Sequence, residues 1–319
     1  MMRSFFFCML INSSSYLIIM ILVLYLKTLN GKISMYKKRY LMKKEIIKFE
    51  TGLQIGLRSW GNASQITLLF LHGLGSSAAS FTELANLLSP EFRIIALDLP
   101  GHGSSTAEQA EESFSAASLA RWVKEAMEQL DIKDLHVIGH SIGGNIALAF
   151  AKIFSVQSVV LLDGGYIRSS SIPGSSITEE IRFAKEHCEN YTFASWVQFE
   201  EEVAEEGLAE RLIEMMKPSM KTEPDAIKLI LTSEHAGYYV KQHFNEPSID
   251  TLSAVEVPVL LLRSTLPQEF NSHRESETAR LKQYLALSVE EVKDTSHDIY
   301  WEKPEVLSQK ISQWISRKK

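Results

Sequence analysis

The chain has 319 residues, 45% hydrophobic and 23% charged, which suits one large packed domain with an inserted subdomain and excludes a disordered or fibrous protein. Its net charge of −6 is uneven: positions 1–41 carry six basic residues (Arg3, Lys27, Lys32, Lys37, Lys38, Arg39) and no acid, leaving 27 basic against 39 acidic residues beyond them. An acidic body without a basic groove argues against nucleic acid as a partner and against highly anionic substrates. Cys8 and Cys188 lie far apart with no metal or redox spacing, so no disulfide framework, metal site or cofactor is expected.

In chain order, residues 1–41 form an apolar and basic segment. Phe5 to Leu26 is apolar apart from Asn12-Ser13-Ser14-Ser15, and as a helix it would be about 33 Å long, enough to cross a bilayer. It has three readings. A cleaved signal peptide fits least, because no small-x-small site follows and Lys37-Lys38-Arg39 with Lys43-Lys44 oppose export. A single membrane anchor would leave the body in the cytoplasm by the positive-inside rule. A start at Met42 would give an ordinary cytosolic N-terminus, and either of the last two readings puts the body in the cytoplasm.

Strands are expected at Glu45–Phe49, Leu53–Trp60, Thr67–Leu71, Arg93–Leu97, Leu135–Ile138, Val156–Leu162, Val257–Leu262 and Ser288–Val292. Apolar runs alternating with amphipathic helices indicate a mostly parallel sheet covered on both faces, with two antiparallel strands at its start. More than ninety residues separate Leu162 from Val257, far beyond an ordinary crossover. The expected division is a core of 42–165 and 251–319 with a helical cap at 166–250. Thr178–Cys188 and Ala194–Met216 are the longest cap helices, with Leu208, Leu212 and Met215 on one face. Glu200, Glu201, Glu202, Glu205, Glu206 and Glu210 read as a solvated face. Cap aromatics such as Phe183, Phe193, Phe199 and Tyr239 read mainly as cap core, with some facing the site.

Gly139-His140-Ser141-Ile142-Gly143 lies between the strand Leu135–Ile138 and a helix beginning with small residues. A sharp strand-turn-helix would hold the Ser141 hydroxyl in the open and set a helix N-terminus behind it. Alone, the run also reads as a glycine-flanked helix cap. Three further segments accompany it: His72-Gly73-Leu74-Gly75 after one strand, Asp98-Leu99-Pro100-Gly101-His102-Gly103-Ser104 after another, and Asp294-Thr295-Ser296-His297-Asp298 before the last helix.

In this order and spacing the four segments resemble the α/β-hydrolase superfamily, in its capped, serine-nucleophile branch, from about Ile46 to Arg317. The resemblance implies an α/β-hydrolase fold with an eight-stranded, mostly parallel sheet and an inserted cap. It implies Ser141 as nucleophile and His297, the one histidine after the last strand, as its base. It implies an oxyanion hole from the backbone N–H groups of Leu74 and Ile142. The other eight histidines fall in the motifs, a strand, the cap or a helix start.

The acid has two positions. Relatives usually carry it after the penultimate strand, where Pro267 occupies the approximate place and Glu269 follows two residues later. The other position ends the strand after the nucleophile helix, where Asp163 precedes Gly164-Gly165. Asp163 takes precedence because the sheet fixes a strand end. Asp98 and Asp294 are lesser candidates, Asp98 as a turn-shaping residue.

The implied activity is cofactor-independent cleavage of a small or medium, largely apolar carboxylic ester through an acyl-enzyme. Carbon–carbon bond hydrolysis, lactonase and thioesterase activity are alternatives on the same fold. A non-catalytic regulatory protein that binds a small ligand is the alternative of another class. The only partner implied for the body is a small-molecule ester; residues 5–26 would supply any membrane attachment.

Overall fold

The computed structural model describes residues 42–49, 52–205 and 209–317. The candidate anchor at Phe5–Leu26 lies outside the described residues. Among those described, no helix is long and apolar enough to cross a membrane.

Eleven strands are present among the described residues: β1 Lys43–Lys48, β2 Gln54–Trp60, β3 Thr67–Leu71, β4 Arg93–Leu97, β5 Leu135–His140, β6 Ser158–Leu162, β7 Thr192–Phe193, β8 Met220–Glu223, β9 Ala226–Leu229, β10 Val259–Ser264 and β11 Leu287–Val292. Eight form one sheet in the order β1-β2-β4-β3-β5-β6-β10-β11. β1–β2 and β2–β4 pair antiparallel, and the remaining pairs are parallel. This is the expected α/β-hydrolase architecture, with strand ends displaced by a few residues at most.

β3, β5, β6 and β10 are buried along their whole length, as continuous apolar strands inside a covered parallel sheet must be. Side chains alternate between two cores. Leu69, Leu71, Val137, Val159 and Leu161 face one that includes residues of the helices Ala116–Gln129 and Ile142–Ile153. Leu68, Phe70, Ile138, Val160 and Leu162 face the other, with residues of the helices Thr82–Leu88 and Pro304–Ser316.

The insertion between β6 and β10 includes the helices Ile177–Asn190, Trp196–Glu205, Glu210–Met216, Ser233–His243 and Ile249–Ser253. The expected continuous helix Ala194–Met216 is corrected to two, with Ala209 extended before the second. The wholly helical reading also needs correction, because β7, β9 and β8 pair as a small antiparallel sheet. Its hairpin turns at Pro224-Asp225, and Ile227 and Leu229 alternate inward while Lys228 faces out, a turn and period that the acidic helical composition concealed. Phe193, Phe199, Val203, Ile213, Met220, Ile227 and Leu229 form the insertion's own core. Glu201, Glu202, Glu205 and Glu210 are exposed.

Candidate active site

β5 ends at His140, Ser141 has φ 54° and ψ −125°, and the helix Ile142–Ile153 begins at the next residue. Positive φ in a non-glycine residue is strained, and two close approaches hold the turn in place. A Cβ at Gly143 would lie 2.3 Å from Leu71 O, and a Cβ at Gly164 would lie 2.2 Å from Ser141 N. Only hydrogen fits at either contact, so β3, the turn and the chain leaving β6 meet at backbone distance. The helix has no acid in its first turn, which leaves its N-terminal N–H groups and positive dipole end uncompensated beside Ser141.

Asp163 immediately follows β6, and its backbone N–H donates to Leu262 O at 2.8 Å. Because β6 and β10 run parallel with Leu162 opposite Leu262, Asp163 comes level with the end of β10. There its carboxylate accepts from Ser264 N at 2.9 Å, Ser264 Oγ at 3.0 Å and Tyr166 OH at 2.9 Å. The fourth donor is His297 Nδ1, 2.9 Å from Oδ2. Asp163 is 7% exposed. Burial opposes its ionisation, but the His297 hydrogen bond and charge, with the Ser264 and Tyr166 donors, hold the carboxyl below its ordinary value. Burial and then the Asp163 charge push the Tyr166 phenol upward, so it stays a donor.

His297 follows β11 in an exposed loop, its side chain 53% accessible. Desolvation works to lower its pKa; the hydrogen bond and charge of Asp163, aided by Asp298, outweigh that and raise it. With Nδ1–H directed at Asp163, Nε2 is the ring nitrogen left to act as a base. His140 supports the loop from beneath, donating from Nε2 to His297 O at 3.1 Å. Burial, then the His297 charge, lowers the His140 pKa to about 3, so it remains a neutral strut.

Two further histidines secure the turn after β3. His72 Nδ1 donates to Gly73 O at 2.7 Å while Nε2 accepts from Leu99 N at 2.9 Å. His102 Nδ1 donates to Pro100 O at 3.1 Å and Nε2 accepts from Gly75 N at 3.0 Å. Burial above all lowers both pKa values, to about 4 and about 3, so each ring donates from one nitrogen and accepts at the other. Leu74 is thus flanked on both sides by residues fixed to the 98–102 turn. Asp98 shapes that turn, accepting from Ala78 N at 2.8 Å and Ser104 N at 2.9 Å.

Of the sequence candidates, Ser141, His297, Asp163, Leu74 and Ile142 all line one cleft. Glu269 does not reach the imidazole: it is exposed in the short turn Gln268–Phe270, and Leu266, Pro267 and Phe270 present that loop to the cleft instead. Asp294 is also exposed, at φ 53° in the turn after β11. The sequence reading did not find Tyr166 and Ser264 as partners of Asp163. Their signal, a hydroxyl three residues past Asp163 and another at the end of the adjacent strand, has meaning only once the β6–β10 register is known.

The cleft has two lobes that share Leu74, Ser141, Glu180, Val240 and His297. One, of about 580 Å³, runs between the ends of β6 and β10 and is lined by Ile142, Ile167, Ile172, Leu266 and Phe270 among others. The other, of about 660 Å³, runs under the insertion along Phe183, Cys188, Tyr191, Met215 and Leu231. Burial, then the Glu189 charge, pushes the Cys188 thiol up to about 11, away from the thiolate form that reacts.

A family model described as the alpha/beta hydrolase fold matches residues 66–304. Among curated proteins, a serine hydrolase-like protein of Danio rerio is 36% identical over 106 residues, 33% of this chain and 32% of that protein. An uncharacterized hydrolase of Bacillus subtilis is 35% identical over 123 residues, 37% of this chain and 44% of that protein. The chain therefore matches less than half the length of these relatives. Among solved structures, E-2-(acetamidomethylene)succinate hydrolase superposes with a TM-score of 0.71 at 21% identity, covering 86% of this chain and 100% of the other. A thioesterase domain from the curacin biosynthetic pathway gives 0.66 at 17% identity, covering 86% and 99%. Both are likenesses of fold. The chain belongs to the α/β-hydrolase family.

Proposed function

We propose that this α/β-hydrolase is a cofactor-independent serine hydrolase that cleaves a small or medium, largely apolar carboxylic ester through an acyl-enzyme. The observation that carries the reading is the 2.9 Å bond from His297 Nδ1 to the buried Asp163 carboxylate in the cleft where Ser141 sits on its strained turn. A serine hydroxyl needs a base, and the base needs a carboxylate to fix its tautomer.

On this reading Ser141 Oγ attacks the ester carbonyl carbon while its proton passes to His297 Nε2. The carbonyl electron pair moves onto oxygen and is met by the N–H groups of Leu74 and Ile142, donors worth about 3 kcal/mol of barrier each in comparable enzymes. As the carbonyl re-forms, the carbon–oxygen bond to the leaving group breaks and His297 returns its proton to the departing alkoxide. Water then attacks the acyl-enzyme, gives a proton to His297, and the acid leaves as Ser141 recovers its hydrogen. The buried, multiply bonded Asp163 stays ionised throughout and stabilises the imidazolium.

On this reading the insertion acts as a cap: its side chains line much of the larger lobe and would select the chain on one side of the scissile bond. The partner is a small molecule and not a nucleic acid. We place the body in the cytoplasm from the basic cluster Lys37-Lys38-Arg39 and Lys43-Lys44; membrane fractionation of the full chain tests attachment through residues 5–26. The activity is tested by fluorophosphonate labelling with peptide mapping, followed by chromogenic esters of increasing acyl length. Label on Ser141 with ester turnover is expected, and an unlabelled protein that turns over no ester contradicts the reading.

A further inference from the structure

We propose that the lobe between the ends of β6 and β10 is a carboxylate-binding subsite centred on Arg274, so that the ester cleaved at Ser141 has an apolar body and one free carboxylate. The inference rests on the ester-hydrolase reading above and names its substrate class.

Arg274 is 4% exposed and lines the lobe together with Ser141, His297 and Phe270. Its hydrogen bonds all go to neutral oxygens: Nη1 donates to Pro267 O and Asn271 Oδ1, both at 2.9 Å, and Nη2 to Leu266 O at 2.5 Å. Nε is buried without a partner. A guanidinium carries five N–H donors, so Nε–H and one N–H of Nη2 have no acceptor. Nε has almost no accessible surface, so the second N–H of Nη2 is the donor left to meet a carboxylate oxygen.

Arg263 Nε is likewise buried without a partner, but the surrounding arginines have counter-ions. Arg263 pairs with Glu291 at 2.8 Å, and Arg168 and Arg280 share Glu277 at 3.3 and 3.0 Å. Arg274 makes no ion pair among the described residues. Buried cations ordinarily have a counter-ion, because removing a charge from water is costly unless it is paired. The lobe's own carboxylates do not supply one. Asp163 is committed to His297, and Glu180 accepts from Ser175 Oγ at 3.1 Å and lines both lobes. The Phe270 ring lies 5.1 Å from the guanidinium carbon and covers one face. A substrate carboxylate would complete the set, with Ile167, Ile172 and Val240 holding the apolar chain between it and the scissile carbonyl.

Binding and turnover separate the two readings. Ser141→Ala protein is titrated by calorimetry with monomethyl adipate and with the neutral methyl hexanoate, and wild-type protein is assayed for hydrolysis of both. The Arg274 site is expected to bind monomethyl adipate about tenfold tighter than methyl hexanoate, on the scale of a charge-assisted hydrogen bond. Arg274→Gln in the Ser141→Ala background is expected to abolish that preference. Arg274→Lys, which retains a charge at the loop, is expected to reduce it and serves if the Gln variant does not fold. If Arg274 only braces Leu266 and Pro267, its loss weakens both ligands alike and leaves the preference unchanged, which overturns the inference. No saturable binding of monomethyl adipate, or preference for the neutral ester, also overturns it. Failure of wild type to hydrolyse either ester counts against the ester-hydrolase reading, while the binding preference remains measurable.

Discussion

The sheet and the insertion meet over one cleft but are built on opposite terms. At the carboxyl ends of β3, β4 and β6 three buried side chains are fully engaged: Asp163 has four donors, and His72 and His102 each bridge two backbone segments. In the insertion, the helix Ile177–Asn190 buries none of its residues fully, and Phe183 is 56% exposed beside the cleft. The difference implies a division of labour. Groups that move protons and hold charge must stay within about half an ångström, whereas groups that select a substrate need only complementary shape and are free to vary along a helix such as Ile177–Asn190 that buries no residue fully.

The comparison breaks most sharply at Ser141. Ser141→Ala is expected to lower kcat on a carboxylic ester by roughly 10⁶, with far-UV circular dichroism and Tm close to wild type. Residual turnover above a few per cent would remove Ser141 as nucleophile. Next is the acid: Asp163→Asn is expected to cost roughly 10⁴ in kcat by favouring the wrong imidazole tautomer, while Glu269→Gln leaves kcat within about twofold. Steady-state kinetics of the pair decides between them, and the opposite ranking would move the acid to the loop after β10.

The pH profile sharpens the same contrast. His297 must be neutral to accept a proton and its pKa is raised, so kcat/KM should rise with pH through one ionisation above the ordinary histidine value of 6.5. Asp163→Asn should move that midpoint to lower pH. The linkage has a definite sign. The raised His297 pKa contributes stability that is fully present below the unfolded-state value and lost as pH rises through the folded one. Stability from the depressed Asp163 carboxyl is present above its ordinary value and lost as pH falls through the folded one. Tm measured across both windows checks each slope. At the smallest scale, Phe183→Ala should leave Tm nearly unchanged and alter the preference among esters of different chain length by less than about tenfold, the range of a partly exposed apolar contact.

Much of the sheet was legible because continuous apolar runs such as Thr67–Leu71 and Val159–Leu162 have few other places to go. That Ser141 and His297 share one cleft was legible from motif and order. The acid was harder, since both candidate positions follow strands that are neighbours in the sheet, and only the pairing of Leu162 with Leu262 brings the Asp163 carboxylate within reach of Ser264. The β8–β9 hairpin was hidden because four-residue strands between acidic helices carry too little periodicity. Arg274 was hidden for a different reason. Asn271-Ser272-His273-Arg274 reads as a polar helix start, and the arginine is buried by carbonyls of the preceding loop, which no local pattern announces.

The central claim, a covalent acyl-enzyme on Ser141 formed with His297 and Asp163, is tested most directly by acid-quenching the enzyme during turnover of 4-nitrophenyl acetate and mapping the acetylated peptide by mass spectrometry. Acetyl on the peptide containing Ser141, absent from Ser141→Ala and accumulating more slowly in Asp163→Asn, is the predicted result. Continued turnover with no acetyl on Ser141, or acetyl on another side chain that is chemically competent to turn over, would contradict it.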